Sequence, residues 1–306
     1  MTTTRRRVIL DTDIGSNVDD ALALAVLLGS PEAELVGCTT VYGDTLVRAR
    51  LAARLLRLAG RRAAVVPGER ETLAGRPVWW AGHEDTLFPD LEAESVAAAV
   101  DAPGFLAGRV AAAPGQVDVV AIGPLTNIAR AIQLDPAFPR RVRHLWIMGG
   151  RFDGGAPEHN FASDPEAARV VFASRTPTTV TGLEVTSTVR FGAAEAAAVE
   201  AGGELGRALA AQMRRWWRFK NTDATPPHDA IALLAMLAPE AFTFSAYGSI
   251  AVADDGAATF TPQREPGSGS VRLVTAVDVA AVTAQIIRRV LAAAPEHRHD
   301  RLHPHG

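Results

Sequence analysis

The stretch DTDIGSNVDDALAL places four carboxylates, Asp11, Asp13, Asp19 and Asp20, around one polar turn that runs into an apolar segment. One or two such acids would be ordinary helix caps, or first-turn residues favoured by the helix dipole. Four of them raise one another's pKa and cost folding energy unless positive charge sits among them. The only lysine is Lys220, and no arginine stands between Arg7 and Arg48. A cation bound from solution is therefore the economical counter-charge. Carboxylate oxygens without a neighbouring thiol are hard ligands, which suits calcium or magnesium rather than zinc. Calcium ranks ahead of magnesium, because its flexible shell of about six to eight oxygens leaves room for water and substrate after the protein has contributed.

A further acid arrives in PPHDAIALL, where Asp229 opens an apolar helical run beside His228. Asp229 has the position of a helix cap. Next to it, an imidazole of ordinary pKa near ~6.5 can supply or share a proton at neutral pH. Other polar groups follow predicted strands: Asp44 in VYGD, Thr126 and Asn127 in GPLTN, and Glu158 and Asn160 in EHNFASDPEAA. Thr126 or Asn127, and Asp164 before Pro165, read as helix caps. Glu158 and Asn160 are better placed for a ligand, and Met148 with Gly149 allows close approach of backbone to a small molecule.

The elements that must position these groups alternate. Residues 7–10, 34–41, 117–122, 144–148 and 178–181 read as short apolar strands; 18–28, 46–58, 127–134 and 165–173 carry helical spacing. That rhythm predicts an α/β fold, a single domain with a mostly parallel central sheet covered by helices on both faces. Ligands in such folds bind beyond the carboxyl ends of the strands, where the acids lie. The rhythm breaks at 68–94, a long stretch with GRPVWWAGHEDTLFPD, which is expected to serve the site. Residues 205–219 read as a helix carrying Trp216 and Trp217, for which core packing is an equal reading. Residues 249–253 and 271–275 read as strands, and 277–291 as a closing helix.

With 306 residues, 48% hydrophobic, 21% charged and a net charge of -3, the chain lacks the basic excess of a nucleic-acid binder. Cys38 is the only cysteine, so an internal disulfide and a cysteine-rich zinc site are excluded and a reducing cytoplasm fits. MTTTRRRVILDTD is too brief in its apolar part for a signal core or a membrane span, and no membrane partner is expected. Residues 1–293 are expected to form the domain, and 294–306, with four of the eight histidines, a disordered tail.

Taken in order, DTDIGSNVDDALAL, TTVYGD, GPLTN, MGG, EHNFASDPEAA and HDAIAL resemble the inosine-uridine preferring nucleoside hydrolases over residues 8 to about 290. The resemblance implies one tightly bound calcium and hydrolysis of the bond between ribose and a purine or pyrimidine base by a calcium-bound water. It implies calcium ligation by Asp13, Asp20, Asp229 and the Thr126 carbonyl, with Asp13 also the general base. Asp19, Asn160, Glu158 and Met148 correspond to ribose contacts, His228 to the histidine beside the leaving base, and Asp11 to support. His228 is the candidate acid for the departing base, with His83, Glu84 or Asp85 of the long loop as further candidates, and Trp216 or Trp217 a stacking surface. A homodimer or homotetramer is implied. Three features depart from the common pattern: the longer IGSNV turn, which can bring Asn17 toward the metal; Asp44 where asparagine is usual; and a shortened segment between MGG and EHN. The alternatives are a non-catalytic calcium-dependent nucleoside or ribose binder, and an Asp-based phosphatase.

Overall fold

The computed structural model describes residues 5–84, 86–97, 101–263 and 269–295. Asp85 and nearly all of the histidine-rich tail lie outside the described residues. The strands are β1 (Arg6–Thr12), β2 (Ala33–Thr40), β3 (Val65–Pro67), β4 (Val117–Ala121), β5 (His144–Met148), β6 (Thr178–Thr181), β7 (Phe242–Phe244), β8 (Gly248–Val252), β9 (Ala258–Pro262) and β10 (Val271–Val277). They form one sheet in the order β3-β2-β1-β4-β5-β6-β10-β8-β9, with β7 also on β10. From β3 to β10 the pairings are parallel; β7, β8 and β9 add antiparallel pairings at one edge.

Burial on both faces explains why these strands read as unbroken apolar runs. Val8 and Leu10 of β1 enter one core while Ile9 enters the other; Val120 of β4 joins the first, and Val119 and Ala121 the second. The first core is closed by α1 (Asp19–Leu28), α2 (Thr45–Leu58), the short α8 (Leu183–Thr186), α9 (Ala193–Glu200), α10 (Gly203–Lys220), α11 (His228–Leu237) and α12 (Val279–Ala293). The second is closed by α3 (Ala102–Ala112), α4 (Thr126–Leu134), α5 (Phe138–Arg141), the short α6 (His159–Ser163) and α7 (Pro165–Ala173). Helix α1 is apolar on every side because α2, α11 and α12 all pack on it.

This order has a consequence for the acids. β1 lies between β2 and β4, so the connections leaving β1 and β4 diverge at their carboxyl ends and open a crevice there. Asp13 follows β1 directly, Thr126 opens the helix after β4, and Met148 ends β5.

The expected elements are present, with revised ends and additions. Strand β3, helix α3, and strands β7 and β9 were not legible: two are three residues long, and α3 is rich in Ala and Gly. The closing helix starts at Val279, not 277, because Asp278 caps it by accepting the Ala281 N–H at 3.0 Å. Thr126 does not cap α4. It is the first helical residue, and its hydroxyl donates to Asp164 at 2.7 Å. Asp229 is likewise inside α11, after Pro227 and His228, and not its cap. Asp164 does cap α7, accepting from the Ala167 N–H at 3.1 Å.

One half-buried histidine makes the fold pH-sensitive away from the crevice. His144 lies against Trp146, its Nε2 2.8 Å from the Thr179 hydroxyl. Burial, aided by the charges of Arg272, Arg6 and Arg143 and opposed by Asp118, pushes its pKa from 6.5 down to about 4. Between those values the unfolded chain binds a proton that the folded chain refuses, so stability falls as pH drops from about 6.5 to about 4. Urea melts across this range are expected to show a shallower slope for His144→Gln; an unchanged slope would remove His144 from that role.

Candidate active site

The turn after β1 is held from both sides. Gly15, at φ +130°, lets the backbone pass where a Cβ would meet Leu51 at 2.8 Å. The Thr12 hydroxyl donates to Asp20 and accepts the Ile14 N–H at 3.1 Å. Arg48, fully buried on α2, donates to the carbonyls of Tyr42 (2.7 Å), Ile14 (2.9 Å) and Asp13, with its guanidinium 4.7 Å from the Trp80 ring centre. Beneath the turn, one oxygen of Asp11 accepts from the Thr39 hydroxyl (2.6 Å) and the Asn127 amide (2.7 Å). The Asn127 oxygen in turn accepts the Glu69 N–H at 2.9 Å, which ties the start of the long loop to the sheet.

Above this turn opens a cleft of about 390 Å³ whose floor and walls include Asp13, Asn17, Asp19, Asp20, Met148, Glu158, Asn160, His228 and Asp229. Oxygens of Asp19, Asp20 and Asp229 all lie within 4.8 Å of one another, on buried residues. Glu158 and Asn160 form one wall. Glu158 accepts from the N–H groups of Gly150 (2.8 Å), Asn160 (2.7 Å) and Phe161 (3.2 Å), and the Asn160 amide donates to the Ile122 and Met148 carbonyls at 3.0 and 3.3 Å.

Such crowding disfavours ionisation. Burial first, and then repulsion from Asp13, pushes Asp19 up to about 7; burial also pushes Asp11 to about 7. Asp20 and Asp229 are driven well above the ordinary carboxylate range by burial and by their acidic neighbours, and Arg48 and the Thr12 hydroxyl only partly relieve Asp20. His228 is pushed down to about 4 by burial, so its ring is neutral at pH 7, with Nδ1 2.7 Å from the Thr186 hydroxyl. The expected proton supply from an unperturbed imidazole does not match this setting. The donor set fits a hard divalent cation: all ligand atoms are carboxylate oxygens, and only opposing charge makes their joint ionisation favourable.

The rim is aromatic. Trp79, from the long loop, and Trp216, on α10, line the cleft, as do His159 and Lys220. His83 is not among the lining residues but packs edge-on against Trp216, ring centres 6.4 Å apart, with its Nε2 2.9 Å from the Ser16 carbonyl and its ring 5.0 Å from that of Phe219. Glu84 fastens the same loop, accepting from the Ser16 hydroxyl at 2.7 Å.

Comparison with known proteins agrees with this geometry. The inosine-uridine preferring nucleoside hydrolase family model matches residues 8–284. The chain belongs to this family. It is 33% identical over 262 residues to a probable uridine nucleosidase of Arabidopsis thaliana, covering 79% of this chain and 80% of that protein. It is 33% identical over 249 residues to a non-specific ribonucleoside hydrolase of Escherichia coli, covering 78% and 81% respectively. A solved plant nucleoside hydrolase superimposes with a TM-score of 0.83 at 29% identity, covering 95% of this chain and 99% of the other. A purine-preferring ribonucleoside hydrolase from Gardnerella vaginalis reaches the same TM-score of 0.83 at 24% identity, which speaks to fold alone. The chain is thus a nucleoside hydrolase by family, and the phosphatase alternative falls away.

The expected residues are distributed unevenly. Asp13, Asp19, Asp20, Asp229, Met148, Glu158, Asn160, His228 and Trp216 share the cleft, and Asn17 reaches it. Asp19, expected on the sugar, also stands in the three-acid group. Thr126 does not line the cleft. Asp44 caps α2, accepting the Val47 N–H at 3.2 Å, a use the sequence had not suggested. The paired tryptophans split: Trp216 lines the cleft and Trp217 packs against the first core. Sequence reasoning missed Thr12, Trp79, His159 and the part taken by Lys220. Arg48, which the sequence shows only as the far end of an arginine-free stretch, is brought back under the turn by α2.

Relief of this repulsion is measurable without turnover. A divalent cation held by this group is expected, at 100 times its Kd, to raise stability by about 2.7 kcal/mol. Asp229→Asn should abolish that gain while leaving the metal-free protein at least as stable as the parent. Scanning calorimetry with chelator and with calcium decides; a variant that keeps the full gain would place the cation elsewhere.

Proposed function

We propose that this cleft cleaves the N-glycosidic bond of ribonucleosides, releasing free base and ribose, with Asp13 as the general base. The convergence of Asp13, Asp19, Asp20 and Asp229 in one cleft below an aromatic rim carries the reading. One calcium ion, held by Asp20 and Asp229 with Asp13 and Asp19 beside them, would supply charge that acidifies water and orients vicinal hydroxyls. Asp13 removes a proton from the attacking water as the oxygen approaches the sugar's anomeric carbon. Loss of the base leaves a positively charged, oxocarbenium-like sugar, for which a ring of carboxylates is electrostatically suited. Asn160 meets the sugar already oriented, since its amide is anchored to two carbonyls. Glu158 shapes the wall, both its oxygens carrying backbone N–H groups. Support for uridine as the first substrate to try comes from the relatives named for it.

We place the activity in nucleoside catabolism, including purine salvage, in a reducing cytoplasm that suits the one buried thiol. A homodimer or homotetramer is the proposed assembly. Among the described residues no helix is long and apolar enough to cross a membrane.

The test is a panel of purine and pyrimidine nucleosides assayed for released sugar, with chelator and with added calcium. Ribonucleosides should react and deoxyribonucleosides far more slowly, by up to ~10⁴-fold where a polar site is left unpaired. Ligand binding in a calorimeter with no released sugar would instead favour the non-catalytic binder. Asp13→Asn should lose at least ~10²-fold in turnover with its melting temperature retained; near-normal turnover would take the base role from Asp13.

A further inference from the structure

Among the described residues lining the cleft, Lys220 is the one Lys or Arg side chain. It is also the chain's only lysine, placed at the last residue of α10. Its side chain is exposed, and no carboxylate lies within ion-pair distance of it among the described residues; its ammonium stands 5.5 Å from the centre of the Trp216 ring. The ring of Phe219 stacks on that of Trp216, their centres 5.5 Å apart. The cleft is therefore polarised: acids at its floor, aromatic faces and one free cation at its rim.

A nucleoside is polarised in the matching sense. The sugar hydroxyls and the developing positive charge belong with the carboxylates, and the flat base belongs with Trp79 and Trp216. Cleavage sends the electron pair of the glycosidic bond onto the base nitrogen, and in uracil- or hypoxanthine-type bases the charge spreads onto a ring carbonyl oxygen. From the position of Lys220 we propose that its ammonium, steered by the Trp216 face, is the residue that holds this leaving anion. It thereby favours bases bearing a carbonyl over adenine-type bases that lack one. This rests on the hydrolytic reading above.

In the step so described, the bond from the anomeric carbon to the base nitrogen breaks as the water oxygen bonds to that carbon. The water proton goes to Asp13, and the departing anion accepts a hydrogen bond from the Lys220 ammonium. The anion then takes a proton from solvent as it is released, and Asp13 returns its own to solvent. No other reactant is needed.

The experiment compares the parent, Lys220→Met and Lys220→Arg on uridine, inosine, adenosine and 4-nitrophenyl riboside, whose phenolate leaves unaided. Lys220→Met is expected to lower kcat/KM for uridine and inosine by about 30-fold or more, the scale of one charge-stabilising group. The nitrophenyl riboside should change by less than about threefold, so that dependence on leaving-group acidity steepens. Lys220→Arg should recover most of the loss on uridine. Equal losses on all four substrates, or no loss on uridine, would overturn the proposal. A parent enzyme inactive on every substrate would instead sink the hydrolytic reading itself, which separates the two failures. Because Lys220 is exposed at a helix end, unchanged far-UV circular dichroism is expected and is checked alongside.

Discussion

Repulsion among buried carboxylates governs the architecture around the end of β1. Asp11, Asp13, Asp19 and Asp20 come within one turn, and Asp229 is added from α11. Buried acids this close resist joint ionisation, so the surroundings must hold them in place by other means. Thr12, Thr39 and Asn127 supply neutral donors to Asp20 and Asp11. Arg48 spends its guanidinium on carbonyls of the turn, which fixes the backbone while leaving the acid oxygens to face the cleft. The apolar faces of α1 and α11 then make retreat of the acids into solvent impossible without unpacking the first core. Held in that way, the cluster is a standing demand for positive charge, which a cation meets in the ground state and an oxocarbenium-like sugar meets in the reaction.

Sheet topology decides where this demand is expressed. The divergence of the chain on either side of β1 leaves a crevice at the carboxyl ends of β1, β4 and β5. Each of those ends delivers one part of the cleft: the acid turn, Ile122 after β4, and Met148 leading to Glu158 and Asn160. Chemistry and fold are joined there, since Asn127 binds both Asp11 and the first residues of the long loop.

Much of this was legible in the sequence. Apolar runs with turn residues between them revealed the parallel strands, and acids clustered at a strand end signalled the cation site. Motifs set in order revealed the family. What escaped was of three physical kinds. Very short strands such as β3 carry no period to detect. Side chains that act across large sequence separations leave no local trace: Arg48 reaches back 35 positions to Ile14's neighbour Asp13, and Glu84 reaches 68 positions to Ser16. Asp44 illustrates a third case, in which an acid near a charged cluster invites an electrostatic role when simple helix capping accounts for it.

The attachment of the long loop sets a limit on how this protein can be redesigned. Glu84 grips Ser16 of the acid turn, and Arg215 of α10 donates to the His83 carbonyl at 2.6 Å. Loop, turn and helix therefore behave as one exchangeable cassette. A graft that transplants the loop alone from a relative, in search of a new base preference, would strip a hydrogen bond from the acid turn and unseat Trp79 in the same stroke. Transplanting all three pieces together preserves the anchor points, so the recombination boundary belongs outside them, at the sheet.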